Sequence, residues 1–588
     1  MKELMSGNVA IARGAFESGV TVGAGYPGTP STEILENFCR YQGIYAEWAP
    51  NEKVALEVGI GAAMAGARVL VTMKHVGVNV AADPLLTAAY TGVNGGLVLV
   101  SADDPGMHSS QNEQDNRNYA RFARIPVLEP ADSAEARDMV GLALDISEEF
   151  DIPVILRTTT RVAHSQGFVE LKERVEKGLK EYKKDTRKWL MVPAFGKMRR
   201  QSLGERLTRL RDYSEKTPVN FILEGNPEVG VITSGISFQY VRETLPAASV
   251  LKLGMTYPLP ADLIKKFAAG VKRLFVVEEL EPYIEEFVRL LGLPVSGSEF
   301  FPETGELSVA VLKRGFIAAG IIPEEKNVPI ERFEDMPPVP VRPPVLCAGC
   351  PHRGVFYTLH KLKLVVTGDI GCYTLGGLAP LEGMDSCVCM GASIGMSHGI
   401  DKAAPELRGR TVAVIGDSTF LHSGITGLID VIYNNGNTTV MILDNSTTAM
   451  TGHQEHPSTG KTLMGGSAPR VDLEGLVKAL GVTRARVVDP LNLSQLTEAI
   501  QAEVAAPGPS VIIARRPCAL LKREALPPVT VDKEACTGCK TCLKLSCPAI
   551  SVNEKLCSVD PVSCIGCGLC PQVCKFGALV AEGGEAGE

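Results

Sequence analysis

Nine of the chain's 16 cysteines fall between residues 536 and 574, in two runs of regular spacing. The first is Cys536, Cys539, Cys542 and Cys547, followed by Pro548; the second is Cys564, Cys567, Cys570 and Cys574. A C-x2-C-x2-C turn lets three thiolates reach three irons of one cubane, and the more distant fourth thiolate crosses to the other cluster. On that rule Cys536, Cys539, Cys542 and Cys574 hold one [4Fe–4S] cluster, and Cys564, Cys567, Cys570 and Cys547 hold a second. Gly538, Gly566 and Gly568 give the backbone freedom to bend around them. The first run has four residues before its last cysteine where the bacterial pattern has three, and Lys575 stands where that pattern has proline. Cys557 is a ninth cysteine to which the pattern assigns no role. The competing reading, structural zinc, takes four ligands from two separated pairs rather than eight from triplets plus singles. A tail of about 60 residues is too small for a large apolar core, so bound clusters are expected to supply much of its folding energy.

The remaining cysteines are sparse. That distribution is a metal-binding tail on a reduced protein rather than a disulfide scaffold, and a cytoplasmic location is expected. The opening MKELMSGNVAIARGAFESG meets a helix pattern at once and carries no leader-like apolar core. The apolar zone 54–100 is interrupted by Arg68, Lys74, His75 and Asp83, which argues against a membrane span. A net charge of -8 over 588 residues argues against a nucleic-acid surface.

Length leaves room for several domains. The stretch 170–217 is dense in Lys, Glu and Arg and reads as exposed helix and connector. The stretch 322–346 is proline-rich and acidic and reads as an extended linker. A third junction lies at 522–532. The expected division is 1–190, 218–320, 345–520 and 530–588. The three larger pieces read as α/β. Apolar runs such as 67–73, 95–104, 229–235, 271–279, 362–371, 411–418 and 438–445 alternate with helix-length segments, the mark of parallel sheets. Several runs end in Asp, Gly, Ser or Asn, and ligands in such folds sit beyond the carboxyl ends of strands.

One stretch carries more chemistry than the others. The run 411–415 delivers Gly416-Asp417-Ser418, a helix follows over roughly 421–433, and the run 438–443 delivers Asp444-Asn445. Neighbouring parallel strands would bring Asp417 and Asn445 together, and their oxygens are hard ligands suited to Mg²⁺. The alternative is two unrelated strand-end turns. Upstream, Cys347-Ala-Gly-Cys350-Pro-His-Arg-Gly, Gly368-Asp-Ile-Gly-Cys372 and the small-residue run 390–399 flank the same pocket. His398 within that run is a hydrogen-bonding wall residue or an acid–base catalyst. In the N-terminal domain Glu52 stands at a helix start after Pro50-Asn51, with Glu57 as its rival. A carboxylic acid in a close-packed wall could hydrogen-bond a ring nitrogen of a cofactor, although a glutamate there is also ordinary capping.

Tyr26-Pro-Gly-Thr-Pro-Ser31, Asn51-Glu52, Gly416-Asp417-Ser418, Asp444-Asn445 and the double cysteine run together resemble the thiamine-dependent 2-oxoacid:ferredoxin oxidoreductases, and most of all the large (alpha) subunit of their indolepyruvate subgroup. The resemblance covers essentially the full chain. It implies a pyrimidine-side domain, a transketolase-C-terminal-like domain, a diphosphate-side domain and an α+β two-cluster ferredoxin domain. It implies thiamine diphosphate, bound through Gly416, Asp417, Ser418, Asn445 and Thr447. Mg²⁺ is then held by Asp417, Asn445 and the Thr447 carbonyl. Ser418 departs from the usual Gly-Asp-Gly. Glu52 falls on the activating glutamate, and Thr29 falls where relatives contact the substrate carboxylate. Cys347, Cys350, Cys372 and Cys518 fall near a third cluster of some relatives; otherwise they are buried thiols beside the cofactor.

The implied reaction is oxidative decarboxylation of an arylpyruvate (indolepyruvate, phenylpyruvate or 4-hydroxyphenylpyruvate) with coenzyme A. Its products are an arylacetyl-coenzyme A, CO2 and reduced ferredoxin. The implied partners are a smaller beta subunit, ferredoxin and a second copy of this chain in a hetero-oligomer. Rival readings are the same chemistry on pyruvate or branched 2-oxoacids, a non-oxidative decarboxylase, and an electron-transfer subunit without its own thiamine chemistry.

Overall fold

A computed structural model describes residues 1–324, 342–521, 526–553 and 555–581. The chain divides into two units, residues 1–334 and 335–588. Most of the expected proline-rich linker (325–341), and residues 522–525 of the third junction, lie outside the described residues. No described helix is long and apolar enough to cross a membrane.

The first unit is built on a seven-stranded sheet. Its order is Met255–Tyr257, Val127–Leu128, Val154–Thr159, Leu97–Asp103, Val69–Lys74, Val22–Gly25 and Tyr45–Trp48. All neighbours are parallel except Met255–Tyr257, which pairs antiparallel with Val127–Leu128. Strands Val69–Lys74, Leu97–Asp103 and Val154–Thr159 are buried along their whole length. This is why they read as unbroken β-branched and leucine runs rather than alternating ones. On one face, helix Gly7–Glu17 lies so close to helix Ser133–Phe150 that a Cβ on Gly14 would stand 2.3 Å from the Arg137 carbonyl oxygen.

A second, four-stranded sheet follows in the order Arg273–Val277, Asn226–Ser234, Ala248–Leu253, Asn220–Leu223. The next strand of this segment, Met255–Tyr257, leaves it for the edge of the first sheet. Buried ions tie the two sheets together. Arg117 donates to Asp115, to Glu278 at 2.6 Å and to the Glu279 carbonyl at 3.1 Å. Arg157 donates to Asp103 at 2.7 Å and to Glu129 at 3.1 Å, and Glu129 also accepts from Ser234 and Thr256. Burial pushes Glu278 and Glu279 up to about 7.

The charged stretch 170–217 is less exposed than its composition implies. Residues 171–185 have no regular structure, but helix Pro193–Ser214 buries Leu203, Leu207 and Leu210. Those three sit at i, i+4 and i+7, an apolar stripe inside a charged helix.

The second unit carries a six-stranded, all-parallel sheet. Its order is Ser386–Cys387, Val365–Gly368, Thr411–Gly416, Thr439–Asp444, Ser510–Arg515, Arg484–Val488. Apolar clusters cover both faces, one around Phe356, Val414 and Ile512, the other around Phe420, Ile442 and Ile513. Within residues 530–580 lie two small antiparallel pairs, Thr530–Val531 with Leu579–Val580 and Ile550–Asn553 with Leu556–Val559. These pack on Leu491 and Leu493.

The Gly14 contact generates a test. Gly14→Ala must push a helix backbone away from a carbonyl and should cost about 1–3 kcal/mol, the usual range for overpacking. The drop should appear in the urea midpoint of the first unfolding transition. Gly204→Ala, whose Cβ would meet nothing within 4 Å, should leave that midpoint unchanged or raise it slightly.

Candidate functional site: a strand-end carboxylate pair, a buried glutamate and two cysteine-lined cavities

Strands Thr411–Gly416 and Thr439–Asp444 are direct parallel neighbours, in a register that sets Gly416 opposite Leu443. Their carboxyl ends therefore release Asp417 and Asn445 side by side. Asp417 opens the following helix directly, earlier than the sequence pattern implied. The helix then widens into a π turn at Phe420–Gly424 before continuing as Ile425–Tyr433. Such widened turns interrupt helices most often beside functional sites. The Asp417 carboxylate accepts the Ser418 and Ser446 backbone N–H groups, both at 2.9 Å, and lies 3.3 Å from His456 Nε2.

Asn445 is buried, and its amide nitrogen lies 3.4 Å from His352 Nε2. Burial lowers His352 to about 4, with Asp417 pulling the other way. The imidazole is therefore neutral near pH 7 and accepts the Asn445 N–H, which turns the Asn445 oxygen away from it. Thr447 is buried, and Thr448 Oγ1 donates to Ser418 Oγ at 2.9 Å. Burial, then the charge of Asp417, raises Asp444; Arg515 offsets this by donating to it at 2.7 Å. Two crowded, partly uncompensated carboxylates with an amide oxygen beside them form a hard, anionic donor set that a divalent cation would relieve.

The floor of this strand-end crevice was only partly legible in the sequence. Asp369 is fully buried and accepts from the backbone of Gly391 at 2.9 Å and Ser393 at 3.1 Å, anchoring helix Ala392–Ala403. Tyr373 stands over Gly416, where a Cβ would come within 2.7 Å of its ring. His352, Asp369, Tyr373 and His456 are not among the sequence-predicted site residues, although His352 and Asp369 sit inside the Cys350-Pro-His-Arg and Gly368-Asp-Ile-Gly-Cys372 segments that flank the pocket. Cys350 and Cys372 are pushed up by burial, to about 12 and about 11. Cys350 also feels Cys347 and Cys372, and Cys372 feels Cys518 and Cys347, so these four thiols gather in one region.

His398 requires a correction. It lies on helix Ala392–Ala403, packed on Gly436, where a Cβ would be 2.5 Å from its Nδ1. Gly436 precedes strand Thr439–Asp444, so His398 sits toward the amino ends of the strands, whereas Asp417 lies at the carboxyl ends. The helix runs back from Asp369 across the sheet face, and two of its turns carry His398 away from the crevice.

In the tail, one cavity is lined by Cys536, Cys539, Cys542, Cys557 and Cys574. Another is lined by Cys547, Cys564, Cys567 and Cys570. The fourth cysteine of each run lines the other run's cavity. Cys557 donates its backbone N–H to Cys536 Sγ at 3.5 Å and sits 3.6 Å from Cys542 Sγ. Among the described residues no group of three or more His, Cys, Asp or Glu side chains forms a metal-ion site; the thiols stand around these two cavities.

In the first unit, Asn51 caps helix Glu52–Met64 by accepting the Val54 N–H at 2.9 Å. Glu52 is buried, whereas its rival Glu57 is on the surface and pairs with Lys53. Thr29 lies on the turn after strand Val22–Gly25, and its carbonyl accepts from Ser109 Oγ at 3.4 Å. Helix His75–Val80 passes over Glu52 at Gly77.

With this geometry in place, comparison with known proteins is informative. Residues 13–202 match the family described as pyruvate flavodoxin/ferredoxin oxidoreductase, thiamine diphosphate-binding, and residues 369–514 match the C-terminal thiamine pyrophosphate-binding domain of thiamine pyrophosphate enzymes. The chain is 42% identical to the indolepyruvate oxidoreductase subunit IorA of Archaeoglobus fulgidus, over 98% of this chain and 97% of that one. It is 41% identical to the subunit of the same name from Pyrococcus horikoshii (99% and 97% covered) and 40% identical to that from Methanothermobacter thermautotrophicus (99% and 98%). Thiamine diphosphate binding and the multi-domain α/β build are thereby established.

A Cβ on Gly77 would lie 2.6 Å from Glu52 Cγ and 2.7 Å from its Oε1. Glu52 can swing aside, so Gly77→Ala should leave the fold intact and displace the carboxyl group. Misplacing a reacting group by about 1 Å can cost ~10²-fold, and kcat should fall on that scale with the thermal midpoint unchanged. Wild-type kcat in Gly77→Ala would remove Glu52 from the chemistry.

Proposed function

Because the chain belongs to the alpha (IorA) subunits of the 2-oxoacid:ferredoxin oxidoreductase family, we propose that it carries the thiamine centre of an enzyme that oxidatively decarboxylates indolepyruvate and related arylpyruvates. Coenzyme A takes the acyl group as arylacetyl-coenzyme A, CO2 leaves, and ferredoxin takes the electrons. The observation that carries this reading is identity of about 40% running through both thiamine-binding regions and the cysteine tail.

When bound, thiamine diphosphate supplies the electron sink that lets a 2-oxoacid lose CO2. The chain's own residues have separate tasks. Asp417, the Asn445 side-chain oxygen and the Thr447 carbonyl would hold Mg²⁺, supported by their burial at adjoining strand ends. Gly416 and Ser418 line the diphosphate. His352 keeps the Asn445 amide turned, and the Ser446 N–H fixes Asp417. Glu52 would hold a proton for the cofactor's pyrimidine ring, and Thr29 would meet the substrate carboxylate. The two cysteine sets are read as holders of [4Fe–4S] clusters, the one-electron carriers that a two-electron oxidation ending on ferredoxin requires. The crossed lining of the two cavities supports that reading. Cys347, Cys350, Cys372 and Cys518 are the candidate ligands of a third. The smaller beta subunit and a second copy of this chain complete the enzyme.

Two measurements test the assignment. Anaerobically purified protein should hold about eight irons and eight acid-labile sulfides per chain, the content of two four-iron clusters. About twelve would add the third cluster, and zinc without sulfide would remove the electron-transfer reading.

The substrate test follows ferredoxin reduction by the alpha–beta complex with coenzyme A and a 2-oxoacid panel. An aromatic ring buried in an apolar pocket is worth a few kcal/mol over a methyl group at ~25 cal/mol per Å². kcat/KM should therefore favour indolepyruvate over pyruvate by at least ~100-fold. Preference for pyruvate or 2-oxoglutarate would overturn the substrate assignment.

A further inference from the structure

Lys74 ends strand Val69–Lys74, and its side chain is only 8% exposed. Lysine is rarely buried to this extent without a carboxylate bonded to it. Lys74 has none. Its Nζ donates to the Ser109 carbonyl at 2.6 Å and makes a longer contact to Ser109 Oγ at 3.4 Å. An ammonium carries three N–H donors, so one is left without a partner among the described residues. Asp104, the nearest carboxylate to act on Lys74, is occupied elsewhere: it accepts from Ser109 N at 2.9 Å, Ser110 Oγ at 2.5 Å and Thr160 Oγ1 at 2.7 Å.

The position matters as much as the charge. Strands Val22–Gly25, Val69–Lys74 and Leu97–Asp103 are consecutive neighbours in the sheet, all parallel. Their carboxyl ends deliver Thr29, Lys74 and Asp104 to one edge. Ser109 bridges Lys74 and the Thr29 carbonyl. A Cβ on Gly28 would come within 3.0 Å of Lys74 Cβ, so the turn before Thr29 lies directly on the lysine. Three residues past Lys74, Gly77 touches Glu52. A ligand at these strand ends thus meets an ammonium, a hydroxyl and a carboxyl group close together.

We propose that Lys74 is the cation that receives the 2-oxoacid's carboxylate, and so selects for α-carboxylate substrates. The inference rests on the functional reading above, which makes the substrate an anion. Burial drives Lys74 down to about 8, with Asp104 only partly opposing. The charge is therefore held at a desolvation cost that the protein leaves uncompensated and that an arriving carboxylate offsets. An ion pair formed with the ground-state carboxylate strengthens binding more than it speeds loss of CO2. Lys74 is accordingly a binding and specificity residue, and its removal should act on KM.

The experiment uses the alpha–beta complex, purified anaerobically, with Lys74→Met and Lys74→Arg beside wild type. In Lys74→Met, KM for indolepyruvate should rise roughly 10- to 100-fold, the worth of a hydrogen bond to a charged group. kcat should change by less than about 3-fold, as expected for loss of uniform binding. Wild type should be inhibited far better by 3-phenylpropionate than by the neutral 3-phenylpropanamide, and Lys74→Met should lose that discrimination. Lys74→Arg should recover most of it.

The pH profile gives an independent readout. The titratable groups around Lys74 are Asp104 on the loop after Leu97–Asp103, His75 at the start of the helix that follows Lys74 and Glu52 against that helix. A lysine charged below pH 8 and neutral above it makes wild-type kcat/KM fall as pH rises through about 8. In Lys74→Arg that fall should move out of the assay range. A merely structural lysine would lower the thermal midpoint in Lys74→Met but leave KM, the acid–amide discrimination and the alkaline limb as in wild type, and that result overturns the proposal. A wild-type complex that turns over no 2-oxoacid would instead defeat the functional reading, and this inference with it.

Discussion

The register between strands Thr411–Gly416 and Thr439–Asp444 is the constraint on which the diphosphate-side site depends. Gly416 pairs with Leu443, so the next residues to leave the sheet are Asp417 on one strand and Asp444-Asn445 on the other. A slip of one residue would turn the side chains of one strand to the other face and separate the carboxylate from the amide. The register is secured from both sides, because both strands are wholly buried between the two apolar clusters. A packed core thereby fixes the spacing of a polar site. Ser446 N–H, Ser418 N–H and Arg515 fix the neighbouring carboxylates of Asp417 and Asp444 in place.

Period and end residues made much of this architecture legible in the sequence. Each of the seven apolar runs named from the sequence became a strand, because a run of β-branched and leucine residues ending in Gly, Asp or Asn fits few alternatives to a buried parallel strand. What was not legible depended on distance in space. Glu52 and Glu57 are five residues apart on one helix, and no local pattern separates them. The fold did, by burying one and leaving the other on Lys53. His398 looked like a site residue because its run begins at the crevice, but the first six residues of helix Ala392–Ala403 carry it away from there. His352 was missed for the converse reason: it reaches Asn445 from a helix start far back in the sequence, whereas His456 reaches Asp417 from the loop just after Asn445, where no periodic pattern marks it. Met255–Tyr257 could not be assigned to the first sheet from a local pattern, since three residues hold no record of which edge they complete.

The first unit handles buried charge differently from the second. Arg117 and Arg157 are nearly inaccessible and are paired with Asp103, Asp115, Glu129 and Glu278. Such networks contribute less to stability than to specificity of assembly, because the desolvation of each ion offsets most of the attraction. Here the assembly in question is the junction of the first and second sheets, where a strand has also changed sheets. Lys74 is the exception in this unit. Its neighbours accept hydrogen bonds but carry no charge bonded to it, so its position answers to something other than packing.

The cysteine tail joins the diphosphate-side sheet through a second buried cation. Arg353 is 1% exposed and donates to the carbonyls of Leu346 at 2.6 Å, Cys347 at 2.9 Å and Leu545 at 2.5 Å. Leu346 and Cys347 belong to the turn that carries Cys350, and Leu545 belongs to the tail. Gly349 in the same turn lies so close to Ile565 that a Cβ there would overlap it at 2.0 Å. Ala348, Gly349 and Arg353 accordingly line the same cavity as Cys547, Cys564, Cys567 and Cys570. The Cys347–Cys350 turn is thus wedged between the crevice beside Asn445 and His352 and the nearer of the two cysteine-lined cavities. Thiolates on either side of Arg353 favour its charge, whereas burial alone disfavours it. A guanidinium held there at a net cost is best satisfied when the surrounding sulfurs are anionic, as they are when bound to iron. The arginine, the glycine that admits Ile565 and the crossed cysteines therefore belong to one arrangement, in which the turn beside Asn445 and His352 packs directly on the tail.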